Sequence, residues 1–185
     1  MTTALLLVDI QNDYFPDGAM ALERMDAAAA NAARLLAGFR DRGLPTFHVR
    51  HLSVRPGATF FVPGTPGAEI HPSVAPRAGE PLVEKNFPNS FRGTDLEQRL
   101  RGASVDGLVI AGAMSHMCID ATTRAAFDQG FKCTVAEDAC ATRALEFGRR
   151  SLPASDVHAA FMAALAAPYA KITSTDACLA SLAAR

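Results

Sequence analysis

The segment GLVIAGAMSHMCIDATTRAAFDQG, residues 107–130, contains the signals of a strand, a turn and a helix in direct succession. Gly107 to Ala111 is a short apolar run, which is typical of a buried strand. Apolar residues then recur at helical spacing from about Met117 to Gln129, and Gly130 can end the helix in a left-handed conformation. A buried strand followed by a helix is the repeating unit of a parallel sheet with crossover helices.

The same alternation of short apolar runs and longer helical patterns continues along the whole chain. Together the runs predict an α/β fold with a six-stranded, mainly parallel sheet. The other five strands are predicted at Ala4 to Asp9, Thr46 to Arg50, Leu82 to Lys85, Lys132 to Ala136 and Lys171 to Ser174. The helices are predicted at Met25 to Arg42, after a capping box of Thr94 and Glu97, from a cap at Ser155 to Pro168, and from a cap at Thr175.

Length and charge restrict the class of protein. The 185 residues fit one domain, residues 1–185, because no linker-like stretch divides them. A net charge of −1 gives no overall positive electrostatic potential that would attract nucleic acid or anionic lipid, so neither is expected as a partner. The first residues carry no basic leader and reach a carboxylate at Asp9, which favours a cytoplasmic protein without a membrane span.

Three reactive side chains follow predicted strands at their carboxyl ends. Asp9 closes the first strand, Lys85 closes the third, and Cys118 follows the fourth across a turn. Ligands of parallel α/β sheets bind at this edge, so the three side chains are expected to meet there. A thiol at a helix N-terminus beside an ammonium favours the thiolate, Asp9 can move a proton, and backbone N–H groups of the turn can bind an oxyanion.

Each of these residues also has an ordinary structural explanation. A free cysteine is usually buried packing, an isolated aspartate can form a turn, and an isolated lysine is usually a solvated surface charge. Their common place at strand ends favours the functional interpretation without identifying a reaction.

The remaining cysteines and His116 are interpreted as structural. The four cysteines contain no C-x-x-C pair, which argues against a zinc site or a disulfide framework. Cys133 is placed in the core of a strand, Cys178 in the terminal helix, and Cys140 in a loop after the fifth strand, where it could approach the pocket rim. His116, two residues before Cys118, is expected in a structural or subunit contact.

Aromatic and amide side chains near the strand ends are candidates for substrate binding. Gln11 and Asn86 stand next to Asp9 and Lys85, and either orient them or bind substrate. The aromatic residues could form an apolar pocket wall, or seal the long loop from His51 to Pro81 or a subunit interface. These residues are Tyr14, Phe15, Phe60, Phe61, Phe87 and Phe91, of which Phe15 and Phe60 are the predicted substrate contacts.

The motifs in order along the chain carry a specific resemblance. They are LLLVDIQNDYF at residues 5–15, GATFFVPGTPGAEIHP at 57–72, VEKNFPNSF at 83–91, VIAGAMSHMCIDATTRAAFDQGF at 109–131 and EDACATR at 137–143. On these residues the sequence resembles the isochorismatase-like cysteine hydrolase superfamily, which includes nicotinamidases, N-carbamoylsarcosine amidases, maleamate amidases and streptothricin hydrolases. The resemblance implies a Rossmann-like three-layer α/β/α sandwich.

The resemblance also implies roles for particular residues. Asp9, Lys85 and Cys118 fall on the family's catalytic triad, and a non-proline cis peptide is implied between Ala113 and Met114. The N–H groups of Met114 and Cys118 are then the expected oxyanion donors. No organic cofactor is implied, and a homodimer or homotetramer is expected.

One departure from the nicotinamidases concerns metal binding. Those enzymes carry an Asp-x-His metal element after the second strand, whereas this chain reads FHVRHLSV, with no carboxylate near His48 or His51. His51 and His71 could still bind a ligand, but two scattered histidines are more often structural or surface residues, so no metal is expected.

These observations predict a cysteine-dependent hydrolase that cleaves a C–N bond, amide or carbamoyl, of a small molecule through a thioester acyl-enzyme. A vinyl-ether hydrolase and a catalytically idle binding protein of the same fold are the alternatives. A nucleotide-binding module is disfavoured because DIQNDYFPDG, after the first strand, lacks the G-x-G-x-x-G spacing.

Overall fold

The computed structural model describes residues 2–183, so Met1, Ala184 and Arg185 of the expected domain lie outside the described residues. Its main sheet has six parallel strands in the order β3-β2-β1-β4-β5-β8. The predicted α/β class with a six-stranded sheet is therefore confirmed.

The strands are β1 Thr2–Val8, β2 Thr46–His51, β3 Leu82–Lys85, β4 Val105–Ala113, β5 Lys132–Ala141, β6 Leu145–Phe147, β7 Arg150–Leu152 and β8 Ala170–Thr173. The helices are α1 Met25–Arg40, α2 Leu96–Gly102, α3 Asp120–Asp128, α4 Ala154–Leu165 and α5 Thr175–Ala183. A π-helical turn, Ser115–Ile119, joins β4 to α3. No helix within residues 2–183 has the length and apolar character needed to cross a bilayer.

Two apolar layers enclose the sheet, as a three-layer sandwich requires. Leu5 and Leu7 of β1 point to the layer that contains α1 and α5, whereas Leu6 and Val8 point to the layer with α2, α3 and α4. The alternation follows from the period of two along a strand. Because both faces of the sheet are covered, the sequence of β1 is a nearly continuous apolar run.

The order of the strands reverses between β1 and β4. Chain connections lead from β1 outward through β2 to β3, then return to β4 and continue outward to β5 and β8. Such a reversal opens a crevice at the carboxyl ends of the two central strands. Asp9 follows β1 and Cys118 follows β4, so both lie at this crevice.

Several predicted boundaries were wrong. β4 begins two residues earlier and ends two residues later than predicted, and β5 continues to Ala141 because its second half pairs again with β4 beyond a bulge. The hairpin of β6 and β7 was not predicted, because its residues are mostly exposed and lack an apolar alternation.

Three predicted helix caps were also wrong. The short helix begins at Leu96, one residue after Asp95, so Thr94 and Glu97 do not form a capping box. Pro153, not Ser155, precedes α4, and no side chain caps that helix. α5 begins at Thr175 itself, and the side chain of Ser174 accepts from the N–H of Ala177 at 3.2 Å.

Gly112 is required by the contact between β1 and β4. It pairs with Val8, and a Cβ atom at this position would lie 1.9 Å from the carbonyl oxygen of Val8. Its φ of +134° is also a conformation that side chains disfavour. Any larger residue would displace the end of β1 immediately before Asp9.

Gly112→Ala is expected to lower the free energy of unfolding by about 3 kcal/mol, because the new methyl group overlaps a backbone atom and the φ is unfavourable. Gly107→Ala on the same strand is the matched control. Its Cβ would meet only ordinary contacts, at 3.4 Å from Lys132 O, so a change within about 1 kcal/mol is expected. Urea unfolding followed by circular dichroism measures both, and equal midpoints would contradict the steric explanation.

Candidate active site

Asp9 lies in the crevice in a special backbone conformation. It is the residue after β1, its φ is 55°, and its side chain is fully buried. A left-handed conformation is uncommon outside glycine and costs free energy, although aspartate tolerates it better than most residues. Its N–H donates to the carbonyl of Val49 at 2.9 Å, which ties the turn to β2.

Lys85 ends β3 and reaches the same point. Its ammonium nitrogen lies 2.7 Å from Asp9 Oδ2 and 3.3 Å from Cys118 Sγ, and the side chains of the ion pair are completely shielded from solvent. Burial alone would lower the pKa of Lys85, but Asp9 and Cys118 outweigh it and keep the pKa above its ordinary value. The ammonium therefore stays charged between the carboxylate and the sulfur.

Cys118 is held by the π-helical turn after β4. The N–H groups of Met117 and Ile119 both donate to the carbonyl of Met114, at 3.0 and 3.2 Å, which closes the turn around the cysteine. The Ala113–Met114 peptide bond is cis, at the bond where the resemblance placed it. Cys118 is 4% exposed, so it is almost completely buried.

The resting state of the sulfur differs from the expected thiolate. Burial and then the Asp9 carboxylate raise the pKa of Cys118 far above its ordinary value, and the Lys85 ammonium only partly offsets them. The resting side chain is therefore a neutral thiol. The helix terminus and the lysine were expected to favour the thiolate, but burial of the sulfur beside a carboxylate outweighs them.

The second carboxylate oxygen of Asp9 is available to that thiol. Asp9 Oδ1 is buried and has no hydrogen-bond partner among the described residues, whereas Oδ2 accepts from Lys85. A carboxylate oxygen, a His51 ring nitrogen and Cys118 Sγ all lie within 4.8 Å of one another. The Asp9 carboxylate therefore lies near the sulfur and keeps one oxygen that is not engaged by Lys85.

Asp9, His51 and Cys118 offer an oxygen, a nitrogen and a sulfur ligand, the donor types that Zn²⁺ prefers. Lys85 Nζ, however, contacts all three residues, at 2.7 Å from Asp9, 3.0 Å from His51 and 3.3 Å from Cys118. A metal ion would have to share this position with an ammonium. The group therefore does not fit a resident metal while Lys85 is protonated and in place.

Only part of the predicted aromatic wall comes together near the triad. The ring of Phe61 lies 4.5 Å from that of Tyr14, 5.1 Å from that of Phe60 and 6.0 Å from that of His51. Burial, followed by the charges of Cys118 and Asp9, raises the pKa of Tyr14 well above its ordinary value.

The other predicted wall residues pack elsewhere. Phe15 stacks on His71 at 3.7 Å, Phe91 packs on Phe131, and Phe87 lies under the guanidinium of Arg92.

The two predicted amide contacts bind the backbone in this structure. Gln11 is fully buried, and its side chain accepts from the N–H of His51 at 2.7 Å and donates to the carbonyls of His51 and Ala68. Asn86 donates to the carbonyl of Leu52 at 2.8 Å. Both side chains orient the loops beside the triad, and a contact of either with substrate stays a prediction.

His116 and the other cysteines are placed mainly as expected. His116 Nδ1 lies 2.6 Å from Thr142 Oγ1, and its ring packs near Phe161 of α4, so it makes a structural contact. Cys133 is buried in β5 and Cys178 in α5. Cys140 belongs to β5 and not to a loop, because this strand extends to Ala141.

Two residues that contact the site or its loops were not singled out in the sequence. His51 contacts Lys85, and its position at the end of β2 could have revealed it by the same rule that selected Asp9 and Lys85. Asp13 accepts from the N–H groups of Phe61 and Ala19, at 2.6 and 3.2 Å, and so holds the long loop over the site. Nothing in the spacing of Asp13 distinguishes it from a surface acid.

Comparison with known proteins gives matches over nearly the whole chain. Residues 3–177 match the Isochorismatase domain. YddQ of Bacillus subtilis, an uncharacterised isochorismatase family protein, is 53% identical over 179 residues, which are 97% of this chain and 99% of YddQ. Maleamate amidohydrolase of Pseudomonas putida is 32% identical over 154 residues, 76% of this chain and 72% of that enzyme. A crystal structure of an isochorismatase hydrolase homologue from Oleispira antarctica superimposes with a TM-score of 0.94 at 54% identity, covering 97% of this chain and 96% of the other.

Asp9→Asn is expected to accelerate alkylation of Cys118 by iodoacetamide at pH 8 by about tenfold or more, because removing the carboxylate lowers the pKa of the thiol while Lys85 remains. The rate is measured by mass spectrometry of peptides. Cys133, whose thiol pKa is raised to about 12 by burial alone, is the internal control and should react equally slowly in both proteins. An unchanged or slower reaction of Cys118 would show that the Asp9 carboxylate does not raise the pKa of the thiol.

Proposed function

Because the chain belongs to the isochorismatase family, whose members include hydrolases of small molecules, we propose that it is a cysteine-dependent amidohydrolase. In this proposal Cys118 attacks the carbonyl carbon of a carboxamide or carbamoyl group, and the C–N bond breaks. The observation that carries the proposal is the buried contact of one ammonium, Lys85, with both a carboxylate and a thiol.

In the first half of the proposed reaction, Cys118 loses its proton to Asp9 Oδ1 as the sulfur bonds to the carbonyl carbon. Lys85 lies beside both groups and stabilises the negative charge as it moves from the carboxylate toward the sulfur. The carbonyl oxygen becomes an oxyanion, for which the N–H groups of Met114 and Cys118 are the proposed donors. Asp9 then passes its proton to the departing nitrogen, and ammonia or an amine leaves a thioester on Cys118.

In the second half, Asp9 is again a carboxylate and takes a proton from water. The water oxygen attacks the thioester carbon, and the C–S bond breaks. The sulfur recovers the proton from Asp9, and a carboxylic acid is released. One water molecule is consumed and the enzyme returns to its starting state, so the cycle balances without a redox partner.

Three further points belong to the proposal and not to the geometry. A small substrate is proposed because the chain is similar to enzymes such as maleamate amidohydrolase. Phe15, in the segment after β1, and Phe60, in the long loop, are kept as proposed substrate contacts. A cytoplasmic location and a homodimeric or homotetrameric state rest only on composition and on the resemblance.

The proposal is tested by ammonia release from a panel of small carboxamides and N-carbamoyl compounds. The native chain is expected to turn over at least one of them, and rapid quenching followed by mass spectrometry should reveal a protein that carries the acyl group. Cys118→Ala should lower kcat by about 10³-fold or more, because the covalent step is lost.

Cys133→Ala is the control for loss of a buried thiol and should keep kcat within about twofold of that of the native chain. If no compound of the panel is hydrolysed, the amidohydrolase proposal fails. If a vinyl ether is hydrolysed instead and Cys118→Ala retains that activity, the vinyl-ether alternative replaces it.

A further inference from the structure

The geometry points to a fourth residue of the reactive centre: we propose that His51 is a positioning residue that holds the Lys85 ammonium between Asp9 and Cys118. The inference rests on the proposed function for its catalytic meaning. Its structural content is that Asp9, His51 and Cys118 surround the buried ammonium as hydrogen-bond acceptors, which can be tested without any substrate.

The strand order places His51 at the end of a strand that lies among those carrying the triad but gives no residue to it. Four neighbouring strands lie in the order β3, β2, β1 and β4. Lys85 ends β3, Asp9 follows β1 and Cys118 follows β4, so β2 is the strand among these four that gives no residue to the triad. His51 is the last residue of β2 and pairs in register with Lys85. Its ring is thereby placed beside the lysine side chain at the same edge of the sheet.

The contacts of the ammonium use all of its donors. Lysine has three N–H donors and no acceptor. Lys85 Nζ lies 2.7 Å from Asp9 Oδ2, 3.0 Å from His51 Nδ1 and 3.3 Å from Cys118 Sγ. Because the lysine side chain is shielded from solvent, water cannot replace a missing acceptor. His51 is thus one of three groups that fix the direction of the ammonium.

The protonation state of His51 fits this role. An ammonium cannot accept a hydrogen bond, so Nδ1 must carry a lone pair and the ring proton must be on Nε2. Burial and the charge of Lys85 lower the pKa of His51 to about 4, so the ring is neutral at ordinary pH. A neutral histidine gives the ammonium an acceptor without adding a second negative charge beside the thiol.

The backbone of His51 is itself fixed. The buried side chain of Gln11 accepts from the N–H of His51 at 2.7 Å and donates to its carbonyl at 2.9 Å. Phe61 lies beside the imidazole ring at 6.0 Å. These contacts fix the backbone of His51 and pack a ring beside its imidazole, so the position of Nδ1 is set before a substrate arrives.

The first test compares two substitutions with the ammonia-release measurement. His51→Leu removes the acceptor and is expected to lower kcat by about 10- to 100-fold, because the ammonium is no longer aligned. His51→Asn can present its side-chain oxygen near the position of Nδ1 and is expected to recover most of that loss. His48→Leu, a buried histidine of the same strand that binds Glu80, is the control and should leave kcat within about twofold.

The second test needs no activity and uses cobalt(II) alone as the probe. In Lys85→Ala the ammonium is gone, and Asp9, His51 and Cys118 remain as an oxygen, a nitrogen and a sulfur ligand around its former position. This variant is expected to bind cobalt(II) with a thiolate-to-metal absorption band that the native chain does not develop. The double variant Lys85→Ala with His51→Leu is expected to bind the ion at least about tenfold more weakly.

The outcomes separate the two proposals. If no amide is hydrolysed but the cobalt(II) band depends on His51, the position of His51 beside the ammonium is supported and the amidohydrolase proposal fails. If amides are hydrolysed while His51→Leu retains the native kcat, or His51→Asn is as impaired as His51→Leu, the positioning role is overturned. Equal cobalt(II) affinity of the single and double variants, or no binding by Lys85→Ala, also overturns it. Circular dichroism of each variant excludes unfolding as the cause of a loss.

Discussion

The ion pair between Lys85 and Asp9 is the interaction on which the rest of the site depends. Both side chains are shielded from solvent, and removing a charge from water costs several kcal/mol that the partner charge only partly repays. A well-packed apolar pair at these positions would often give equal or greater stability. The pair is therefore better explained by chemistry than by stability, because a buried ammonium next to a thiol can stabilise a sulfur anion without water.

The parallel sheet brings these groups together from remote parts of the chain. Asp9 and Lys85 are separated by 76 residues, yet β1 and β3 are only two strands apart. The left-handed backbone of Asp9 turns the chain away from the sheet at the point where the strand order reverses. Gly112 allows β4 to approach β1 closely at the same level. A side chain at Gly112 would therefore disturb the reactive groups as well as the sheet.

The sequence was sufficient to predict the six strands and the meeting of Asp9, Lys85 and Cys118, because strand ends of a parallel sheet share one edge. It did not predict the hairpin Leu145–Leu152, whose Phe147 is 80% exposed, since hydrophobic periodicity detects only segments that bury a face. The neutral state of Cys118 was also missed, because it results from opposing effects of burial, a carboxylate and an ammonium whose balance depends on distances. The contact of His51 with Lys85 was not predicted, because a histidine in isolation is usually structural.

The neutral thiol has a consequence for how the proposed reaction can begin. Loss of the Cys118 proton to bulk water would leave two anions, the thiolate and Asp9, around one ammonium in a site of low dielectric constant. Transfer of the proton to Asp9 Oδ1 instead leaves the total charge of the group unchanged, since one anion disappears as the other forms. Lys85 contacts both the carboxylate and the sulfur, so its attraction is kept whichever of them carries the charge. Internal transfer is therefore the lower-energy path, and it requires Asp9 Oδ1 to be free of other partners, as it is among the described residues.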